Sequence, residues 1–192
     1  MKKLALISTF AALSSLYPMA HAASSGIISF TGSITNSTCT VNASAAGTAA
    51  TIIVPMGIVS INELGTGSGT NFGSTKSISL TINCPNITGL TSVSAQFTPN
   101  SSGSGINNVD SRLLKTVGTA TGVGIGIIDS NNSLINLNEL ASSSPKALTA
   151  GLGTTGSATI NLRAAYIRAV SGSGDPAPGT ANGTLPFTLT FL

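Results

Sequence analysis

The stretch "GTLPFTLTFL" (183–192) closes the sequence and decides the fold. Its apolar side chains stand at every second position: Leu185, Phe187, Leu189 and Phe191. This is the repeat of a β-strand with one buried face. Chain ends are usually polar and poorly ordered, so a strand of this kind needs a surface to cover it. Pro186 lies inside the stretch and cannot donate a ladder hydrogen bond, so we expect pairing to be interrupted there or to begin after it.

The same strand chemistry recurs along the chain. Segments rich in Ile, Val, Thr and Phe are separated by stretches of Gly, Ser, Asn and Pro, which are typical of turns. The predicted strands are 26–41, 50–61, 77–84, 91–98, 122–129, 158–170 and 184–192. Short strands at this spacing, with hardly any helical pattern, predict an all-β fold, an antiparallel β-sandwich.

The first residues have the pattern of a secretory signal. Lys2 and Lys3 precede an apolar run too short to span a bilayer, and a small-residue site follows at 20–22. We therefore expect residues 1–22 to be removed and the rest, one domain in length, to be exported. That part has six basic and five acidic side chains, a net charge of +1. It offers no basic cluster for nucleic acid and no support for direct membrane binding.

Two cysteines, Cys39 and Cys84, remain after the predicted cleavage. An even number of cysteines in an exported chain favours a disulfide. The alternative, a metal site, lacks ligands, since the only histidine, His21, lies in the predicted signal. The same lack of histidine disfavours Ser-His-Asp and Cys-His catalysis. We expect no enzyme activity, no catalytic residue, no metal and no cofactor.

One glycine pattern resembles a nucleotide-binding motif. "GLGTTG" (151–156) matches G-x-G-x-x-G, but a dinucleotide site requires a helix after the glycines. Here "SATINLRAAYI" (157–167) has the pattern of a strand. The glycines therefore predict a hairpin loop.

A second amphipathic strand lies near the predicted new N-terminus. One face carries Ile28, Phe30, Gly32 and Ile34, and the opposite face is mostly Ser and Thr. Gly32 marks a point where a receiving surface comes close. Two arrangements cover both amphipathic strands. The two ends pair within one molecule and close an ordinary sandwich, or each molecule lacks a strand and receives the N-terminal strand of the next.

The sequence resembles subunits of chaperone-usher fimbriae, close to the type 1 fimbrial major subunit family. The resemblance covers nearly the whole chain and rests on "FTGSITNSTCTV" (30–41), "SLTINC" (79–84), "GVGIGIIDSNN" (122–132), "INLRAAYI" (160–167) and "DPAPGTANGTLPFTLTFL" (175–192). The ending is the most specific part, because such subunits carry a glycine fourteenth from the end and an aromatic penultimate residue. Gly179 and Phe191 occupy those positions.

The resemblance implies an incomplete immunoglobulin-like β-sandwich, a pilin domain over 36–192 whose missing strand is donated by residues 23–35 of a neighbouring subunit. It implies a periplasmic chaperone and an outer-membrane usher as partners, and a surface fimbrium of a Gram-negative bacterium that serves adhesion. The groove and chaperone contacts are then Gly179, Leu185, Phe187, Leu189 and Phe191. The donated face is then Ile28, Phe30, Gly32 and Ile34, and the disulfide joins Cys39 to Cys84.

Besides Pro186 within the terminal strand, the sequence departs from this family in two respects. The family usually has tyrosine where Phe191 stands, so a hydroxyl hydrogen bond is lost there. Residues 23–38 form a short leader to the first cysteine, which favours a minor adaptor subunit as an alternative to a major subunit. A secreted, monomeric immunoglobulin-like binding module is the alternative from another functional class.

Overall fold

The computed structural model describes residues 39–44, 49–138, 143–169 and 175–192. Within these ranges the chain forms β-strands and one short 3-10 helix, Ile61–Glu63, and no helix there is long and apolar enough to cross a membrane. The strands are β1 Thr40–Val41, β2 Thr75–Cys84, β3 Ser92–Phe97, β4 Leu114–Lys115, β5 Val123–Ile128, β6 Lys146–Ala147, β7 Thr149–Ala150, β8 Gly156–Arg168 and β9 Phe187–Phe191. The prediction of an all-β fold is confirmed.

The first sheet has the strand order β1-β2-β8-β5-β4, and β7 also pairs with β8. Its strands pair antiparallel, and β2 and β8 pair over ten residues, from Thr75↔Ala165 to Cys84↔Gly156. On β2 the alternation divides the two faces, since Leu80 and Ile82 are buried while Thr81 between them is exposed. The period of two therefore directs every second side chain into the core.

The second sheet is smaller and has the order β6-β3-β9. β3 pairs antiparallel with β9 from Val93↔Phe191 to Phe97↔Phe187. The main core contains buried side chains of both sheets: Leu80, Ile82, Val93, Ala95, Phe97, Ile125, Ile160 and Leu162. A two-layer β-sandwich follows from this packing.

A second, smaller core covers the other face of β5 and of the end of β8. It consists of Phe72, Leu113, Ile128, Ala165, Ile167 and Ala169. All six residues of β5 are therefore buried. Gly126 has no room for a side chain, because a Cβ there would lie 2.4 Å from the Cδ1 atom of Ile167.

The disulfide between Cys39 and Cys84 is present and confirms the predicted pairing. It spans 45 residues of sequence and lies beside the pairing of β1 with β2, where Thr40 is opposite Asn83. The bond therefore fastens the first described residues of the domain to the first sheet.

The predicted strand at 50–61 is wrong, because the structure assigns no paired strand there. No strand is assigned between residues 49 and 60, and Ile61–Glu63 is the 3-10 helix, which begins after Ser60. The structure adds the two-residue strands β4, β6 and β7, which are too short to leave a period in the sequence. The predicted loop at 151–156 is confirmed as the connection between β7 and β8. The predicted N-terminal strand covers 26–41, and its residues 26–38 lie outside the described part of the chain.

Candidate functional site

A groove of about 880 Å³ runs along β9. β9 and the residues before it contribute Leu185, Phe187 and Leu189 to its lining. The core face of the first sheet contributes Ile78, Leu80, Ile125, Ile127, Leu162 and Tyr166, and residues 49–57 contribute Ile52, Val54 and Met56. None of the described residues that line this groove is charged, so its chemistry suits an apolar occupant.

Residues 49–59, the open segment, have the pattern of a strand but no strand partner in the described part of the chain. Ile52, Val54 and Met56 are half-buried and pack against the main core. Ile53, between them, is 85% exposed. The described residues give this segment no backbone hydrogen bond to another segment. Its side chains alternate as in a strand, although its backbone edge has no partner among the described residues. This alternation explains why the sequence predicted a strand there.

Among the described residues, β9 pairs with β3 on one side and has no strand partner on the other. Ser92 and Leu192 exchange both backbone hydrogen bonds, at 3.1 and 3.0 Å. Hydrogen-bonded pairs alternate along an antiparallel ladder, so the N–H groups of Thr188 and Thr190 also face β3. The N–H groups of Phe187, Leu189 and Phe191 therefore point to the open edge.

Pro186 falls on the side of the strand that faces β3. Its carbonyl accepts a hydrogen bond from the Thr98 N–H at 3.0 Å, and the N–H that would return that bond is missing. β9 accordingly begins at Phe187, which confirms the expectation that pairing is interrupted at the proline or begins after it. The proline removes a bond to β3 and leaves the open edge untouched.

A second cavity of about 630 Å³ continues beyond the groove. Its lining includes Ile58, Val59, Leu64 and the turn 176–182. Gly179 lies in this turn, where a Cβ would be 2.4 Å from the backbone nitrogen of Ala120. Its lack of a side chain lets the turn lie against residues 119–121, where the Ala120 N–H donates to the Thr180 carbonyl at 3.0 Å.

Tyr166 lies between the two cavities. It lines both of them, together with Gly57, Ala181 and Asn182. The Tyr166 hydroxyl donates a hydrogen bond to the Ala181 carbonyl at 2.5 Å, and partial burial raises the pKa of this phenol above its ordinary value. Sequence reasoning did not single out Tyr166 as a site residue.

The end of β9 is held by the turn before β3. The Leu192 carbonyl oxygen accepts hydrogen bonds from the Thr91 N–H at 2.5 Å, the Ser92 N–H at 3.1 Å and the Thr91 hydroxyl at 3.0 Å. Within the subunit, this end of the strand already has hydrogen-bond donors.

Charged groups lie away from the groove. Arg112 and Asp110 form an ion pair at 2.7 Å, and the hydrogen bond from Arg112 lowers the pKa of Asp110. Burial acts to raise the pKa of Asp129, but hydrogen bonds from the Ser133 N–H, the Ser144 hydroxyl and the Asn131 N–H leave it below its ordinary value. Across the described ranges no group of His, Cys, Asp and Glu is arranged to hold a metal ion.

The structure brings together only part of the predicted site. Leu185, Phe187 and Leu189 line the groove, and Gly179 lines the second cavity. Phe191 lies on the same face of β9 and packs against the main core but does not line the groove. The predicted donor residues Ile28, Phe30, Gly32 and Ile34 lie outside the described residues. The groove residues that the sequence did not assign include those of the open segment, those on the core face of the first sheet, and Tyr166.

The fold and the groove define an antiparallel β-sandwich with an open edge. The model of the family described as fimbrial protein matches residues 28–191, and the chain therefore belongs to the fimbrial protein family. The resemblance stated from the sequence is confirmed. Because this is a family of structural proteins, the chain is a fimbrial subunit whose partners are other subunits, and it is not an enzyme.

The comparison with solved structures finds pilus and fimbrial proteins. A chaperone-usher pilus structure that explains rod uncoiling matches with a TM-score of 0.53 and 18% identity, over 88% of this chain and 96% of that one. An antigen and type I fimbria protein of Burkholderia pseudomallei matches with a TM-score of 0.49 and 20% identity, over 80% of this chain and 93% of that one. The P pilus rod subunit PapA matches with a TM-score of 0.43 and 16% identity, over 81% of this chain and 99% of that one. No match was found among curated proteins.

Proposed function

We propose that this protein polymerises by donor-strand exchange into a chaperone-usher fimbrium, in which residues 23–35 of one subunit enter the groove of the next. In this proposal residues 1–22 are a signal peptide, and residues 36–192 form the pilin domain. The observation that carries the proposal is the groove itself, which is apolar. It is lined by two extended elements, and each has a backbone edge without a strand partner among the described residues.

The first support for strand donation comes from backbone groups that have no hydrogen-bond partner among the described residues. Buried N–H and C=O groups of native proteins are nearly always paired, and open strand edges attract other chains. The groove combines the outward N–H groups of Phe187, Leu189 and Phe191 with the open segment. A single added strand satisfies such an edge and fills the apolar space beside it.

The donor sequence fits the same geometry. Ile28, Phe30 and Ile34 share one face of an extended segment, and side chains on one face of a strand are about 6.6 Å apart. The groove lining is also spaced by two residues along β9, at Leu185, Phe187 and Leu189. Burial of about 300 Å² of apolar surface, at roughly 25 cal/mol per Å², stabilises the contact by about 7.5 kcal/mol before ordering costs.

Assembly requires that the groove be covered before a neighbour arrives. A periplasmic chaperone that lends a strand to β9 meets this need, with Gly179, Leu185, Phe187, Leu189 and Phe191 at or beside the contact. An outer-membrane usher then exchanges that strand for the next subunit's donor, and the fibre reaches the cell surface, where it serves adhesion. The short leader, residues 23–38, keeps a minor adaptor as the alternative position in the fibre.

The test is assembly of the full chain with a matched pair of donor variants. Wild-type subunits extracted from the cell surface should give an SDS-resistant ladder that collapses on boiling. Phe30→Asp should abolish the ladder, because it places an unpaired charge in an apolar groove. Ser29→Asp adds the same charge on the opposite, polar face and should leave the ladder intact. A monomeric wild-type protein, or equal effects of the two variants, would contradict the proposal.

A further inference from the structure

Met56 is the single methionine in the part of the chain that follows the predicted signal. The sequence has three methionines, and the other two, Met1 and Met19, lie in the predicted signal. The two cysteines, Cys39 and Cys84, are joined in the disulfide. Met56 is therefore the one sulfur side chain after residue 22 that stays reduced and can react with a mild oxidant.

The Met56 side chain lies in the wall of the groove. It lines the groove together with Val54 of the open segment and with Leu80 and Leu162 of the first sheet. It packs against the main core, yet it is only half-buried. Because no strand covers the open segment among the described residues, part of this apolar side chain stays in contact with solvent.

Oxidation changes the chemistry of this side chain. A lone pair of the sulfur attacks one oxygen of a hydroperoxide such as hydrogen peroxide, and an S–O bond forms as the O–O bond breaks. The proton of the transferred oxygen goes to the leaving hydroxide, which departs as water. The sulfur is oxidised and the peroxide is reduced by the same electron pair. The product, methionine sulfoxide, has a polar oxygen where the thioether was apolar.

We propose that Met56 is an oxidation site that is accessible while the groove is empty, and that its sulfoxide prevents a donated strand from filling the groove. The inference rests on the proposed strand donation and adds a chemical control to it. In an empty groove the sulfoxide oxygen keeps its contact with water. A donated strand removes that water, and the apolar side chains of the lining offer no hydrogen-bond donor in return, so burial of the oxygen is unfavourable.

The same contact protects the methionine once a strand is in place. A donated strand covers the wall of the groove, and the oxidant then no longer reaches the sulfur. Oxidation therefore acts on subunits that await a partner and spares those already in a fibre. Methionine sulfoxide reductases restore the thioether, so the block on assembly is reversible.

The first test compares full-length subunits before assembly with finished fibres. Both are treated with hydrogen peroxide, and the sulfoxide at Met56 is measured by mass spectrometry. Oxidation should be at least about tenfold faster in unassembled subunits, because the sulfur in a fibre is exposed only when the contact opens. Equal rates in the two states would overturn the proposal.

The second test follows assembly after oxidation. Treated wild-type subunits are freed of peroxide and allowed to assemble, and their SDS-resistant ladder should fall at least about tenfold, as expected for a polar group buried without a partner. Treatment with methionine sulfoxide reductases should restore the ladder, and this step needs no variant. Subunits that carry the sulfoxide and give a normal ladder would overturn the proposal.

Two variants separate the position of the methionine from its chemistry. Met56→Leu keeps an apolar side chain of similar volume, and its ladder should not respond to peroxide. Ile53→Met combined with Met56→Leu moves the methionine to the outward face of the same segment, where Ile53 is 85% exposed. This double variant should be oxidised and still assemble. Loss of the ladder on peroxide treatment in either variant would show that Met56 is not the site.

Failure of the inference differs from failure of the proposed function. Untreated wild-type subunits that form no ladder remove strand donation and the role of Met56 together. An untreated ladder that stays unchanged after Met56 has been oxidised removes the inference alone and leaves strand donation in place.

Discussion

The strand pair β2–β8 and the groove beside β9 carry the same kind of sequence but differ in their partners. Both regions alternate apolar with polar residues. Ile82 and Ile160 are 0% and 1% exposed, because β2 and β8 each have neighbours on both sides. Phe187 and Leu189 stay half-exposed, because β9 has one neighbouring strand in the described part of the chain. Alternation thus specifies a strand and its apolar face, but not whether the covering partner belongs to the same chain.

The largest effect is expected when the missing partner is supplied within one chain. A copy of residues 24–35 is added after Leu192 through a flexible linker, and the original 23–34 are deleted. A short linker holds the copy at an effective concentration of about millimolar, so the free energy of unfolding should rise by several kcal/mol over the deletion alone. Denaturant unfolding of both proteins measures the difference.

The matched control places Phe30→Asp in the copy and should remove this gain. If the deletion alone is already as stable as the complemented chain, the groove needs no partner. The monomeric binding module then replaces strand donation as the proposed function.

The next effect concerns the paired region. Replacing both Cys39 and Cys84 by alanine removes a cross-link between residues 45 apart, and the chain-entropy estimate gives a loss of up to about 4 kcal/mol. The bond lies beside the β1–β2 pairing and not in the groove. We expect the same loss in the chain with and without the appended donor copy, measured by denaturant unfolding. A loss that appears only in the complemented chain would tie the disulfide to the groove.

A pair of truncations compares the two regions directly. Ile160→Ala removes a fully buried side chain and should cost about 3 kcal/mol, whether or not the donor copy is present. Leu189→Ala should cost clearly less in the uncomplemented chain and approach the Ile160 value once the copy covers it. Equal costs of Leu189→Ala in the two backgrounds would show that Leu189 is already covered.

The smallest effect is a pH dependence at Tyr166. Partial burial raises the pKa of Tyr166 above its unfolded value of about 10. Tyr166 therefore contributes stability that is fully present below pH ~10 and is lost as the pH rises through the raised folded pKa. Absorbance of the phenolate should titrate above pH ~10 in the folded subunit. A midpoint at the ordinary tyrosine value would contradict the burial of this ring.

Much of the fold could be predicted where a strand is long and its faces differ. β3, β5 and β9 lie within predicted segments, and β2 and β8 begin two residues before theirs. Pro186 correctly predicted the start of β9. β4, β6 and β7 have two residues each and depend on contacts distant in sequence. The second core was missed because Leu113 and Phe72 come from loops, where no period marks them.

Only the β9 side of the candidate site was predicted from the sequence. The ending 183–192 pointed to Leu185, Phe187 and Leu189 because its alternation stands out at the end of the chain. Ile52, Val54 and Met56 were recognised as a strand, but nothing in their local pattern shows that their edge is unpaired. Tyr166 has the position of an ordinary core residue on β8, and only the fold brings it to the turn at Ala181.

Amide hydrogen exchange at β9 tests the central claim most directly, because the strand contains its own control. The measurement compares single amides by NMR in the uncomplemented chain and in the chain with the appended donor copy. The N–H groups of Leu189 and Phe191 should exchange fast in the first and become protected by at least about tenfold in the second, as expected for newly formed ladder bonds. Those of Thr188 and Thr190, which already face β3, should change much less. Leu189 and Phe191 amides that are equally protected in both chains would show that the edge is not open, and would contradict the account.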